Sequence, residues 1–165
     1  MKYLKSLCLA LGAAVLFICS TGFTENTPSG AAREFMAMLS SGKLTRGYLL
    51  RNGSEAFCED LREVSASEFT STLENINRTL KLAKLGGAKF SFSVIDVTKI
   101  FSSAIVEVKI TIRGPDGEVS VEKDTVGLTL EDGIWKFDED FEEFYDDLKE
   151  AERIGLKTIM EALEE

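Results

Sequence analysis

The sequence predicts an α+β fold: N-terminal helices packed on a curved antiparallel sheet, followed by a C-terminal acidic helix. Three observations predict it. Apolar residues recur at helical spacing between Pro28 and Leu85, the period changes to two from Lys89 to Phe137, and an acid-rich amphipathic stretch follows.

The first residues carry Lys2 and Lys5, then an uncharged run from Leu7 to Cys19, then Ser20, Thr21 and Gly22. That order is the order of a secretory signal peptide. The run is shorter than the roughly 20 apolar residues a membrane span needs. Ser20 and Gly22 supply the small residues that signal peptidase prefers, so residues 1–22 read as a leader and Phe23 as the mature N-terminus. Leu16 followed by Cys19 also fits a lipoprotein signal, which would lipidate Cys19, but Ile18 places a bulky β-branched side chain where a small one belongs. The reading favours an exported periplasmic or secreted domain, with a membrane-anchored lipoprotein as the alternative.

Cleavage takes 22 of the 165 residues and leaves 143, enough for one domain with its own core. The formal charge of −9 loses the two positive charges of Lys2 and Lys5 and becomes −11. Such acidity disfavours nucleic acid and anionic membrane surfaces as partners. Of three cysteines, Cys8 and Cys19 lie in the leader, so Cys58 has no internal disulfide partner.

Thr27 before Pro28 reads as an N-cap with proline at the first helical position, and Ala32, Phe35, Met36 and Leu39 form the apolar stripe. "SSG" closes that helix. "KLTRGYLL" sets Leu44 beside Tyr48 and Leu49, and "RNGS" turns the chain into a third helix from Ser54 to Glu63. Ser65 and Glu68 make a capping box for a longer helix striped by Phe69, Leu73, Ile76 and Leu80, which Gly86-Gly87 stops. The triplets at Asn52 and Asn77 match the glycosylation pattern, but one is a turn and the other lies within a helix.

Phe90, Phe92 and Val94 share one face of a strand, and Ala104, Val106, Val108, Ile110 and Ile112 alternate strictly on a second. "GPDG" turns into a third run. There Val119 and Val121 are odd while Val126, Leu128 and Leu130 are even, a parity change that predicts a β-bulge near Lys123 and Asp124. "EDG" turns into "IWKF". In the tail, Phe141, Tyr145, Leu148 and Ala151 keep helical spacing, with acids crowding the first turns where the helix dipole favours them. Gly155 argues against an unbroken run to the C-terminus.

With no histidine and one mature cysteine, the chain lacks the parts for a His-based triad or a usual zinc site, and no Gly-rich phosphate loop is present. No catalytic residue, metal or cofactor is assigned. The acidic run from Asp138 to Asp147 fails as a calcium loop, because the required glycine position holds Glu143 and the final glutamate position Lys149. It reads as a solvated helix face. Carboxylate and tyrosine chemistry remains open, with Tyr48 and Asp96 as its candidates. Phe57, Phe69, Phe90, Phe92 and Trp135 come from elements that face one another, which is first of all a core pattern.

"SGAAREFMAMLSSGKLTRGYLL" and "VGLTLEDGIWKFDED" together resemble the nuclear transport factor two-like superfamily, in its small bacterial exported or lipoprotein members of unknown function. There a first helix leads through a G-[DK]-L turn to a second, and the last hairpin carries DG-x-W-[KR], here Asp132, Gly133, Trp135 and Lys136. The resemblance spans about Pro28 to Asp140. It implies a cone-like fold with a pocket, a domain at 23–140 and the acidic helix at 141–165 beyond its usual end. Isomerases, dehydratases and non-catalytic binders share that scaffold, so fold does not settle function. The missing histidine removes the dehydratase-like His pair, and the tyrosine and two acids of a ketosteroid-isomerase-like site find no residue-by-residue match.

The leading expectation is therefore an exported, non-enzymatic domain that binds a small apolar ligand or an envelope protein, with Tyr48, Phe57, Phe69, Phe92 and Trp135 lining the pocket. A carboxylate/tyrosine isomerase or lyase and a homodimeric scaffold are the alternatives. Intact mass of the protein matured in its own host tests the processing: a chain starting at Phe23 is expected, and one starting at Cys19 with acyl chains would overturn it.

Overall fold

A computed structural model describes residues 26–164, with side chains as far as Gly155, so Cys19 and the leader lie outside the described residues. Four helices come first: α1 (Pro28–Ser40), α2 (Arg46–Asn52), α3 (Glu55–Glu63) and α4 (Ala66–Leu85). Four strands follow, β1 (Lys89–Ile100), β2 (Ser103–Arg113), β3 (Val119–Glu131) and β4 (Ile134–Phe137), then helix α5 (Phe141–Glu164). The strands form one antiparallel sheet in the order β1-β2-β3-β4, with β1 and β4 as its edges. This is the α+β arrangement the periodicity predicts.

Each helix starts where a side-chain oxygen satisfies an otherwise orphaned amide. Thr27 Oγ1 accepts from the Gly30 N–H at 3.1 Å, Thr45 Oγ1 from Tyr48 at 3.1 Å, and Ser54 Oγ from Phe57 at 3.1 Å. Ser65 Oγ accepts from Glu68 N at 3.4 Å, but the Glu68 carboxylate does not close the capping box. It instead accepts from the Tyr145 hydroxyl at 3.0 Å and so ties α4 to α5.

The core lies between the helices and the inner face of the sheet, which carries the even-numbered residues of β2 and β3. Ala104, Val106, Val108, Ile110 and Ile112 of β2 are buried on it, with Val126 and Leu128 of β3 beside them. The expected bulge in β3 is absent, because β2 and β3 pair without a shift from Ser103–Thr129 to Arg113–Val119. Val119 and Val121 are simply on the outer face, each about half exposed. The irregularity sits in β1, between Val94 and Asp96, where Ile95 is the extra residue. Val94 faces Val108 before it and Val97 faces Val106 after it, so the bulge keeps both valines inward while reversing their parity.

Helix α5 completes the core rather than lying outside it. Phe141, Phe144, Tyr145, Leu148 and Ala151 are all buried in the same cluster as the sheet. The helix continues through Gly155 because it crosses α4 there. A Cβ at 155 would come within 2.8 Å of Thr79 Cγ2, whose hydroxyl is bonded to Asn75 O at 2.8 Å and whose side chain cannot swing away freely. The acids leading into α5 are not a plain solvated face either. Asp138 Oδ1 accepts from Ser54 Oγ at 2.6 Å, Asp140 Oδ1 caps Glu143 N at 2.9 Å, and Asp147 is only 4% exposed.

The turns follow their chemistry. Asp132 and Gly133 both have positive φ, 49° and 78°, as a two-residue type I′ hairpin requires. At the β1–β2 turn the same region is occupied by Phe101, with φ 54° and 93% exposure. A phenylalanine gains no packing there to offset the steric cost.

Two stability changes are expected. Phe101→Asn should raise stability by about 1 kcal/mol, since asparagine tolerates the left-handed region; a lower melting temperature would contradict it. Gly155→Ala should destabilise despite alanine's better helix propensity, and Thr79→Ala should relieve that loss in the double variant. Additive effects in the double-mutant cycle would contradict the close approach.

Candidate functional site

A cleft of about 320 Å³ opens between the start of α1, helix α2 and the β3–β4 hairpin. Its size is at the lower end of small-molecule pockets. Phe35 and Ala31 of α1, Tyr48 of α2 and Trp135 of β4 make its apolar walls, and Glu34, Asn52 and Asn26 bring polar groups to it. Helical spacing explains the first set: residues 31, 34 and 35 lie on one face of α1. The DG turn explains the last, because it returns β4 so that Leu130 and Trp135 pair across the hairpin.

The cleft rim is held by backbone bonds to side chains. The Asn26 amide nitrogen donates to Gly133 O, and its oxygen accepts from Trp135 N at 3.4 Å, pinning the chain entering α1 to the hairpin. Asn52 Nδ2 donates to Tyr48 O at 3.0 Å. On the other rim, Ser54 N donates to Phe137 O at 2.7 Å and Lys136 Nζ to Arg51 O at 2.7 Å, closing the β4 edge with the α2–α3 link.

Tyr48 is 5% exposed, with the Glu34 carboxylate close enough to act on its hydroxyl. Burial pushes its pKa well above the usual tyrosine value, and the Glu34 charge pushes the same way. At neutral pH the hydroxyl is therefore a donor. Trp135 is 7% exposed, and the Lys99 ammonium stands 5.1 Å from the centre of its ring, a cation–π distance.

The expected pocket aromatics do not converge. Tyr48 and Trp135 line the cleft. Phe57 and Phe69, at 1% and 0% exposure, belong to the solid core, where Phe57 packs edge-on to Phe137, Phe141 and Phe144 and Phe69 packs on Phe141 and Tyr145. Phe92 lies across the sheet, against Met36, Leu39 and Ile110 in a separate narrow crevice. Tyr48 and Asp96 do not meet either, since Asp96 pairs with Glu107 and is exposed on the outer face. The carboxylate beside Tyr48 is Glu34, which a reading of α1 by its apolar stripe passes over.

Cys58 is buried at 3% exposure, and its thiol is directed at the carbonyls of Leu49 and Leu50 at 3.7 and 3.6 Å. Burial raises its pKa, so the unreactive thiol dominates at neutral pH. Tyr145 is pushed up to about 12, first by burial and then by the Glu68 carboxylate that accepts its proton.

No family model matches the chain, and no curated protein matches it. Among solved structures, a protein of Campylobacter jejuni assigned as a nuclear transport factor two-like transpeptidase is similar at 17% identity, over 69% of this chain and 99% of that one, with a TM-score of 0.43. The architecture itself rests on the helix order and strand register given above.

The tyrosines set an alkaline limit. A folded pKa above the unfolded value of about 10 favours the protonated native state, so stability is full below pH 10 and falls as pH rises above it. Tyr48→Phe should shallow that decline by up to one proton in the slope of unfolding free energy against pH. An unchanged slope from pH 10 to 12 would show that Tyr48 ionises freely.

Proposed function

We propose that this chain is an exported, non-enzymatic binding domain whose cleft between α1, α2 and the β3–β4 hairpin holds a small ligand with an apolar body. The observation that carries the reading is the cleft itself: Phe35, Tyr48 and Trp135 present apolar surface around a volume of about 320 Å³ while one rim is fixed by Asn26. Apolar walls with a few convergent polar groups are the usual form of a small-molecule site. The leader pattern at residues 1–22 supports export, and the lipoprotein alternative at Cys19 would tether the same domain to an envelope membrane. An envelope protein placing an apolar side chain in the cleft is compatible with the same geometry.

A catalytic reading draws on one specific contact. Tyr48 and Glu34 form a tyrosine–carboxylate pair in a partly desolvated site, the kind of pair that general acid chemistry uses. Its raised pKa keeps Tyr48 protonated at neutral pH but also makes it a weak acid, which counts against strong polarisation of a carbonyl. The ketosteroid-isomerase-like arrangement expects a second acid, and Asp96 is on the far face of the sheet.

Thermal shift against a panel of small apolar and amphiphilic compounds tests the binding reading. At least one class should stabilise the purified domain, and Ala31→Phe, which fills the cleft, should abolish the response. A wild-type protein that nothing stabilises, or a variant that responds equally, would overturn it.

A further inference from the structure

We infer that the ligand of this cleft is an organic cation, an ammonium or guanidinium head on an apolar body. The inference rests on the binding reading above and adds the chemistry of the head group.

Among the described residues that line the cleft, Glu34 is the single charged one, and it is half-buried. The polar groups around it are turned toward accepting. Tyr48 lies within the influence of the Glu34 charge, and its hydroxyl oxygen brings lone pairs to the cleft. Asn52 gives one amide hydrogen to the Tyr48 backbone carbonyl and keeps its amide oxygen as an acceptor beside a second N–H. Asn26 has both ends engaged with the hairpin backbone. A carboxylate can accept several hydrogen bonds, so Glu34 retains capacity beyond Tyr48. An incoming group rich in N–H donors and carrying positive charge satisfies this set, whereas a carboxylate or phosphate would meet acceptors and a like charge.

The walls favour the same head group. Aromatic faces attract cations, most strongly the face of tryptophan. Trp135 already draws one, the Lys99 ammonium at 5.1 Å. Lys99, Arg51 and Lys136 oppose a second cation, but Lys99 and Arg51 are exposed and screened by solvent and the Lys136 ammonium is tied to Arg51 O, while Glu34 is partly withdrawn from solvent and lines the cleft itself.

A matched series of hexylammonium, 1-hexanol and hexanoate tests the inference on the exported protein, read by calorimetry and by the emission of Trp135, the one tryptophan in the chain. Hexylammonium should bind about tenfold more tightly than hexanol, and hexanoate more weakly than either. Glu34→Gln should remove most of the advantage of the ammonium and leave the alcohol unchanged. Lys99→Met should tighten the ammonium, an independent readout if the first variant folds poorly. Equal binding of ammonium and alcohol, or hexanoate binding best, would overturn the cation preference and leave the binding reading standing. Failure of all three to move Trp135 emission would overturn both.

Discussion

The stacking of Phe137 on Phe35 is the contact on which the rest of this structure depends. The two rings lie 4.4 Å apart and 18° from parallel, and Phe57 and Phe144 meet Phe137 edge-on at 4.9 and 5.4 Å. One side chain at the end of β4 thereby fixes α1, α3 and α5 at once. Each such pair contributes about 0.5–1.5 kcal/mol beyond its burial. The backbone of Phe137 adds a second constraint, since its carbonyl receives the Ser54 amide and its position bridges to Gly53. Phe35 and Phe137 also form part of the cleft wall, so the core and the candidate site share their central pair.

That sharing gives the cleft two kinds of wall. Its floor is core, and among the described residues one rim is tied to the hairpin through Asn26, where the chain enters α1. A site with a packed floor and a light rim can order one wall on binding without disturbing the fold. The acidic helix α5 contributes from beneath, through Phe144 against Phe137 and Phe57, so it supports the cleft although none of its described side chains lines it.

Much of the fold was legible because each helix announces its start with a capping side chain and each strand its face by parity. Thr27 and Ser65 cap as their spacing predicts, while Ser54, which reads as the first residue of its helix, is that helix's cap. Parity misleads in β3 for a physical reason: Val119 and Val121 look like core residues by type, but they lie on the outer face of the sheet and are about half exposed. The true signal, Val94 followed by Val97, was present in β1. The site was harder to read. Aromatic residue type does not separate a wall from a core, so Phe57 and Phe69 resemble Tyr48 and Trp135 until the helices are packed. Glu34 is invisible to an apolar pattern, and only the approach of α2 to α1 gives it a partner in Tyr48.

Native-state amide hydrogen exchange tests most directly whether the aromatic cluster joins α5 to the floor of the cleft. The account predicts that residues 141–151 of α5, strand β4 and helix α3 open together, with one shared free energy close to that of global unfolding. Exchange of α5 several kcal/mol more readily than β4, with the sheet still protected, would contradict it and make the helix an appendage.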